Sequence, residues 1–193
     1  MTKIHNQEQL IQAAEKVFLE KGYAAARIED IGNELGVLQG SLYYHVGSKA
    51  GLLRLVLRHR FLQMAERIDE ISAGPGTARE RMLAAATEQL KYHSPQLPDL
   101  PQWFNSARGP KATAKEIKAD EKMVQRFRTA LEDIFRDGIA KGEVRPDVEP
   151  ETATLAVLGM CNFVARWYGD AHHLSAEEIA ADQVSLLWAG VAV

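Results

Sequence analysis

Cysteine occurs once in this 193-residue chain, at Cys161. A lone thiol excludes an internal disulfide, so the fold has to be held by burial and hydrogen bonding. No apolar run approaches the roughly 20 residues that span a bilayer. The opening Met1-Thr2-Lys3-Ile4-His5 is largely polar and holds no apolar h-region. A soluble, cytoplasmic protein without membrane contact is the expectation. Internal repeats, low-complexity tracts and alternating strand patterns are lacking too. So are the groupings that enzymes need: no nucleophile beside its base, no phosphate loop, no spaced metal-ligand cluster. His172-His173, near Glu177 and Glu178, comes nearest to a metal set, but adjacent histidines without a spaced partner read as a solvated turn. Cys161 offers a redox sensor on one reading and a buried small residue on the other. Catalysis, cofactor and metal are therefore not expected.

Charge is short of a dominant sign, with 23 Lys+Arg against 26 Asp+Glu. Its distribution says more. Residues 1–60 carry eight cations (Lys3, Lys16, Lys21, Arg27, Lys49, Arg54, Arg58, Arg60) against six acids, a surplus of two, and the remainder is acidic by five. A basic head on an acidic body suits a chain that meets nucleic acid at one end only.

With 46% hydrophobic residues the chain has ample material for a core, and its apolar spacing is helical from end to end. Residues 8–21 place Leu10, Ile11, Ala14, Val17 and Phe18 on one face. Gly22 caps that helix, and Tyr23 can fold back onto its last turn. A second short helix carries Ile28, Ile31 and Leu35, then Gly36 sits where a tight inter-helix turn needs positive φ. The next segment buries Val37, Leu42 and Val46 and leaves Gln39, Ser41, Tyr43, Tyr44 and His45 outward. Helix, glycine turn and short helix with outward polar and aromatic groups is the build of a helix-turn-helix. Three helices of roughly 45 residues in all need support from a larger body.

The run from Leu10 to Leu53 resembles the DNA-binding domain of the TetR family of bacterial transcriptional regulators. The matching pieces are Ala13-Ala14, Phe18, Gly22-Tyr23, Asp30-Ile31, Leu35-Gly36-Val37, Gly40-Ser41-Leu42-Tyr43-Tyr44-His45 and Ser48-Lys49. The resemblance implies an all-helical homodimer, with a helix-turn-helix head over residues 1–48 and a helical effector-binding and dimerisation domain over 49–193. It implies double-stranded operator DNA as partner and places the segment after Gly36 in the major groove. Gly40 would let the backbone approach DNA closely, and Gln39 and Ser41 would reach base edges, where a Gln amide pairs bidentately with adenine. Tyr43, Tyr44 and His45 would meet phosphates or thymine methyls, although Tyr43 also fits the head's own core. Lys49 would hold a phosphate at the start of the next helix, and Arg27 another. The chain departs from the family at Leu38, where a small hydroxyl residue usually caps the recognition helix. It also departs at Ala26, commonly Thr, and at Val46, usually Phe.

The body reads as successive helices over residues 49–72, 77–93, 114–141, 151–168 and 175–190. Gly74-Pro75-Gly76, the proline-rich stretch 94–101, Gly109-Pro110, Gly142 and the loop 145–150 separate them. Helix 151–168 is rich in small and apolar residues (Ala153, Ala156, Val157, Gly159, Met160, Cys161), and the last carries Ile179, Ala180, Val184, Leu186, Leu187 and Trp188. Two such helices per subunit suit a four-helix dimer interface, or else close the monomer core. The stretch Asn162-Phe163-Val164-Ala165-Arg166-Trp167-Tyr168 with Leu174 to Ile179 resembles TetR-family members that control fatty-acid and steroid breakdown, several of which respond to acyl-CoA thioesters. On that resemblance Arg166 would pair with a phosphate and an aromatic group would stack on adenine, with Trp167 among the effector contacts and Trp103, Phe104 and Phe127 lining an acyl cavity. Arg166 pairing with Asp170, and another apolar or aromatic effector, remain the alternatives. The expected function is a ligand-responsive repressor. The rival is a helical protein-interaction module that has lost sequence-specific DNA binding.

Overall fold

A computed structural model describes residues 7–37, 42, 48–93, 97, 113–164 and 174–193. The described residues form seven named helices: α1 (Gln7–Lys21), α2 (Ile28–Leu35), α3 (Lys49–Ala73), α4 (Ala78–Tyr92), α5 (Ala114–Ala140), α6 (Pro150–Val164) and α7 (Ala176–Val191). The all-helical expectation holds. The chain divides into two compact units, one built on the described residues up to Phe61 together with Leu97, and one on those from Leu62 to His93 and from Thr113 onward. Helix α3 contributes to both.

In the first unit α1 buries Leu10, Ile11, Ala14, Val17 and Phe18, the set its spacing gives. Gly22 ends it at φ 74°, and Tyr23 does fold back, its ring meeting that of Phe18 edge-on at 5.5 Å. Ala26, where the family commonly carries Thr, is a buried core residue, and Arg27 occupies the cap position of α2 with extended backbone. An arginine side chain cannot accept a hydrogen bond, so the cap works from the other side: the Asp30 carboxylate accepts the Arg27 backbone N–H at 2.8 Å. Gly36, at φ 65°, closes α2 by donating its N–H to Asn33, while the Val37 N–H reaches Gly32 O at 2.9 Å. Val37 is only half-buried, whereas Leu42 is fully enclosed. The start of α3 adds Leu52, Leu53, Val56, Leu57 and Phe61 to the buried set.

In the second unit α4, α5 and α7 all begin with reciprocal capping boxes, Thr77/Glu80, Thr113/Glu116 and Ser175/Glu178. A Cβ on Gly138 would come within 2.7 Å of Ala78 Cβ and 2.8 Å of Val144 Cγ2, so only glycine permits this approach of α5 to the start of α4. Arg81 is buried there, donating to the Ser72 carbonyl at 2.8 Å and pairing with Asp137. Phe135 stacks on Trp188 at 6.3 Å, joining α5 to α7. The last two helices thus divide by face. Ala153, Val157, Cys161, Ile179, Ala180, Val184 and Trp188 close the monomer core, while Leu155 (49% exposed), Phe163 (59%) and Leu186 (76%) point outward.

Candidate nucleic-acid interface

Arg27 and Lys49 are brought together by the turn between α1 and α2. Both line a surface cavity of about 570 Å³ with Ala24, Ala25, Ala26, Ile28 and Glu29. Burial of Ala26 and Ile28 fixes the backbone on either side of Arg27 and leaves Arg27 itself exposed. Ser48 accepts the Gly51 N–H at 3.0 Å, starting α3 so that Lys49 is its first residue. The Lys49 ammonium donates to Ala24 O at 3.2 Å and lies 4.5 Å from the centre of the Tyr23 ring. The backbone turn and the ring hold that cation in place.

The first residues of two helices, Ile28 and Glu29 of α2 and Lys49 of α3, line the same cavity, and a helix start carries a partial positive charge. With the two cations they form a surface that attracts an anion of phosphate type. Glu29 opposes this field from the same lining. Asp30 does not add to that opposition freely, because Lys21 at 2.7 Å, and then the Arg27 N–H, hold its carboxyl below the usual range and keep it engaged. Lys16 and Glu34 pair at 2.7 Å across α1 and α2, and Arg60 pairs with Glu15. Tyr23 and the Ala24 carbonyl are the functional groups that sequence reasoning missed. Tyr23 had drawn notice only for packing, and no sequence signal distinguishes a carbonyl.

Of the other residues expected to touch DNA, Gln39, Gly40, Ser41, Tyr43, Tyr44 and His45 lie outside the described residues. So do Leu38 and Val46. Leu42, within that run, is helical and buried as its pattern requires. Of the expected effector contacts, Phe127 is described and lies buried on α5; Trp103, Phe104, Arg166 and Trp167 lie outside the described residues, as do His172 and His173. A cavity of about 690 Å³ in the second unit is no acyl chamber. Its lining of Asp69, Arg81, Arg126, Asp133, Asp137 and Lys141 is charged, and Arg126 pairs with Asp69 there. Lys141 and then Arg81 hold the Asp137 carboxyl low. Burial pushes the Cys161 thiol up to about 12, which removes the thiolate a redox sensor needs. Among the described residues no group of three His, Cys, Asp or Glu is placed to hold a metal, and no helix is long and apolar enough to cross a membrane.

Residues 10–56 match the model for bacterial regulatory proteins of the tetR family. Residues 75–191 match the tetracyclin repressor-like C-terminal domain. The chain is 26% identical to the HTH-type transcriptional repressor KstR2 of Mycolicibacterium smegmatis, over 95% of this chain and 89% of that protein. Its fold matches a transcriptional regulator of the TetR/AcrR family from Thermobifida fusca, with a TM-score of 0.73 and 26% identity over 96% of this chain and 98% of the other. It also matches the regulator FadR of Bacillus subtilis, solved in complex with stearoyl-CoA, with a TM-score of 0.68 and 18% identity over 96% and 99% of the two chains.

Proposed function

The chain belongs to the TetR family of bacterial regulatory proteins, and on that premise we propose that it is a cytoplasmic, homodimeric repressor released from operator DNA by a small effector bound in its body. The family is one of transcriptional regulators, not enzymes. The convergence of Arg27, Lys49 and two helix starts carries the DNA reading. Each head would hold the phosphate backbone through these groups, while the segment from Gln39 to His45 reads bases. The division of labour expected from the sequence, residues 1–48 for DNA and 49–193 for effector and dimer, is retained in this proposal.

The effector is proposed to be an acyl-CoA thioester. Its support is the C-terminal resemblance around Arg166 and Trp167 together with the fold shared with a regulator solved with stearoyl-CoA. Dimerisation is proposed through α6 and α7, whose outward Leu155, Phe163 and Leu186 remain about half or more exposed in one protomer. Release requires that the effector favour a conformation in which the heads no longer fit successive major grooves, about 34–36 Å apart. The test is fluorescence anisotropy on the chain's own upstream DNA at fixed salt with competitor DNA present. Binding that survives competitor and is reversed by stearoyl-CoA is the expected result. Binding that competitor abolishes would leave only the nonspecific charge term and sink the operator reading at that site.

A further inference from the structure

Gln89 stands on the inward face of α4 among Met82, Ala85, Ala86 and Leu90, all buried. Only 6% of it is exposed. Its amide nitrogen donates to Asn162 Oδ1 on α6 at 3.1 Å. Its amide oxygen, Oε1, is closed off from solvent and receives no hydrogen bond from the described residues. On α6 itself the Thr154 hydroxyl is in the same state, fully buried and unpaired. Protein interiors leave few acceptors in this condition, because a group stripped of water and given no donor destabilises the fold. Methionine would fill the same inward position on α4 without that cost. Nor does the Asn162 contact require a buried amide, since Asn162 is half-exposed and can hydrogen-bond to water.

We infer that Gln89 Oε1 is a recognition point for the effector, accepting a hydrogen bond from an amide N–H or hydroxyl that the ligand carries into the body. The inference rests on the effector-binding reading above and narrows its chemistry. A saturated acyl chain and a thioester carbonyl offer no donor. The donor therefore comes either from the amide-bearing arm of a CoA thioester or from a hydroxyl on the lipid itself. Gln89 would then discriminate against donor-free lipids, because they leave its oxygen unanswered.

Calorimetric titration of the full chain with stearoyl-CoA, 3-hydroxystearate and donor-free stearate tests this, using wild type, Gln89→Met and Asn162→Leu. Wild type is expected to prefer at least one donor-bearing probe over stearate. Q89M should weaken that probe about tenfold or more, leave stearate unchanged and melt no lower than wild type. N162L, which spares the Gln89 oxygen, should bind within about threefold of wild type. Preference for 3-hydroxystearate alone supports the Gln89 assignment and overturns the CoA reading. Equal binding by wild type and Q89M overturns the assignment alone. Equal weakening by both variants, or a Q89M melt well below wild type, makes the pair structural and overturns it as well. A wild type that binds none of the three overturns the assignment and the effector reading together.

Discussion

Lys49 illustrates how one side chain can be held in place and yet remain available for a phosphate. Its contacts, a carbonyl at 3.2 Å and an aromatic face at 4.5 Å, are weak enough to coexist with a third partner and directional enough to prevent wandering. Among the described residues Arg27 has no such brace, and it gains its position from its buried neighbours Ala26 and Ile28. Lys49→Gln, one bond shorter, keeps an N–H donor on the Ala24 side while removing the charge. If each head of a dimer loses one phosphate contact, the slope of log K against log salt should flatten by about two for the pair. Affinity should fall uniformly across DNA sequences, and the melting temperature should barely move. Anisotropy titrations at several salt concentrations measure the slope, and an unchanged slope would remove Lys49 from the interface.

At the level of the element, helix starts are where sequence and structure agree most closely. Thr77/Glu80, Thr113/Glu116 and Ser175/Glu178 are local signals, since all the partners lie within four residues. Gly22 and Gly36 are local for the same reason. What sequence did not disclose is long-range. Arg81 and Gln89 sit in an amphipathic pattern that gives no sign of burial until α5 and α6 pack against α4. That Arg27 rather than Ala26 caps α2 is not legible either, because the sequence does not locate the first helical residue to within one position. The apolar α6 and α7 could not be sorted into inner and outer faces, since both faces read alike. The caps also carry a pH dependence. Hydrogen bonds from the backbone and hydroxyl of Thr77 lower the Glu80 carboxyl, and those of Ser175 lower Glu178. A lowered folded value means that their stabilisation is complete above the ordinary 4.5 and is lost as pH falls through the lowered values. Urea midpoints of wild type should therefore drop more steeply below that pH than those of a Glu80→Gln/Glu178→Gln double variant. Parallel curves would show that the caps are not titrating with folding.

For the whole molecule, the decisive question is whether two heads act together. A single head contacts one half-site, and joining two converts the second contact into an intramolecular step. Leu186 is the most direct point of attack, because at 76% exposure it contributes almost nothing to its own protomer. Leu186→Glu should leave the protomer's fold intact while setting like charges on the two-fold-related α7 helices. Sedimentation should then show monomer in place of dimer. Operator affinity should fall by roughly 10²–10⁴, the gain that linkage of two sites supplies. The two readouts must move together, since affinity lost without dissociation would point to a disturbed head. A variant that remains a dimer and binds the operator normally would place the interface elsewhere, and Phe163 and Leu155 would then need another explanation. If L186E does dissociate, effector response offers a further discrimination within the same prediction. A monomer that still binds effector but shows no change in its residual DNA affinity would locate the coupling in the spacing of the heads. A monomer whose residual DNA binding still weakens with effector would locate it inside each chain, along α3.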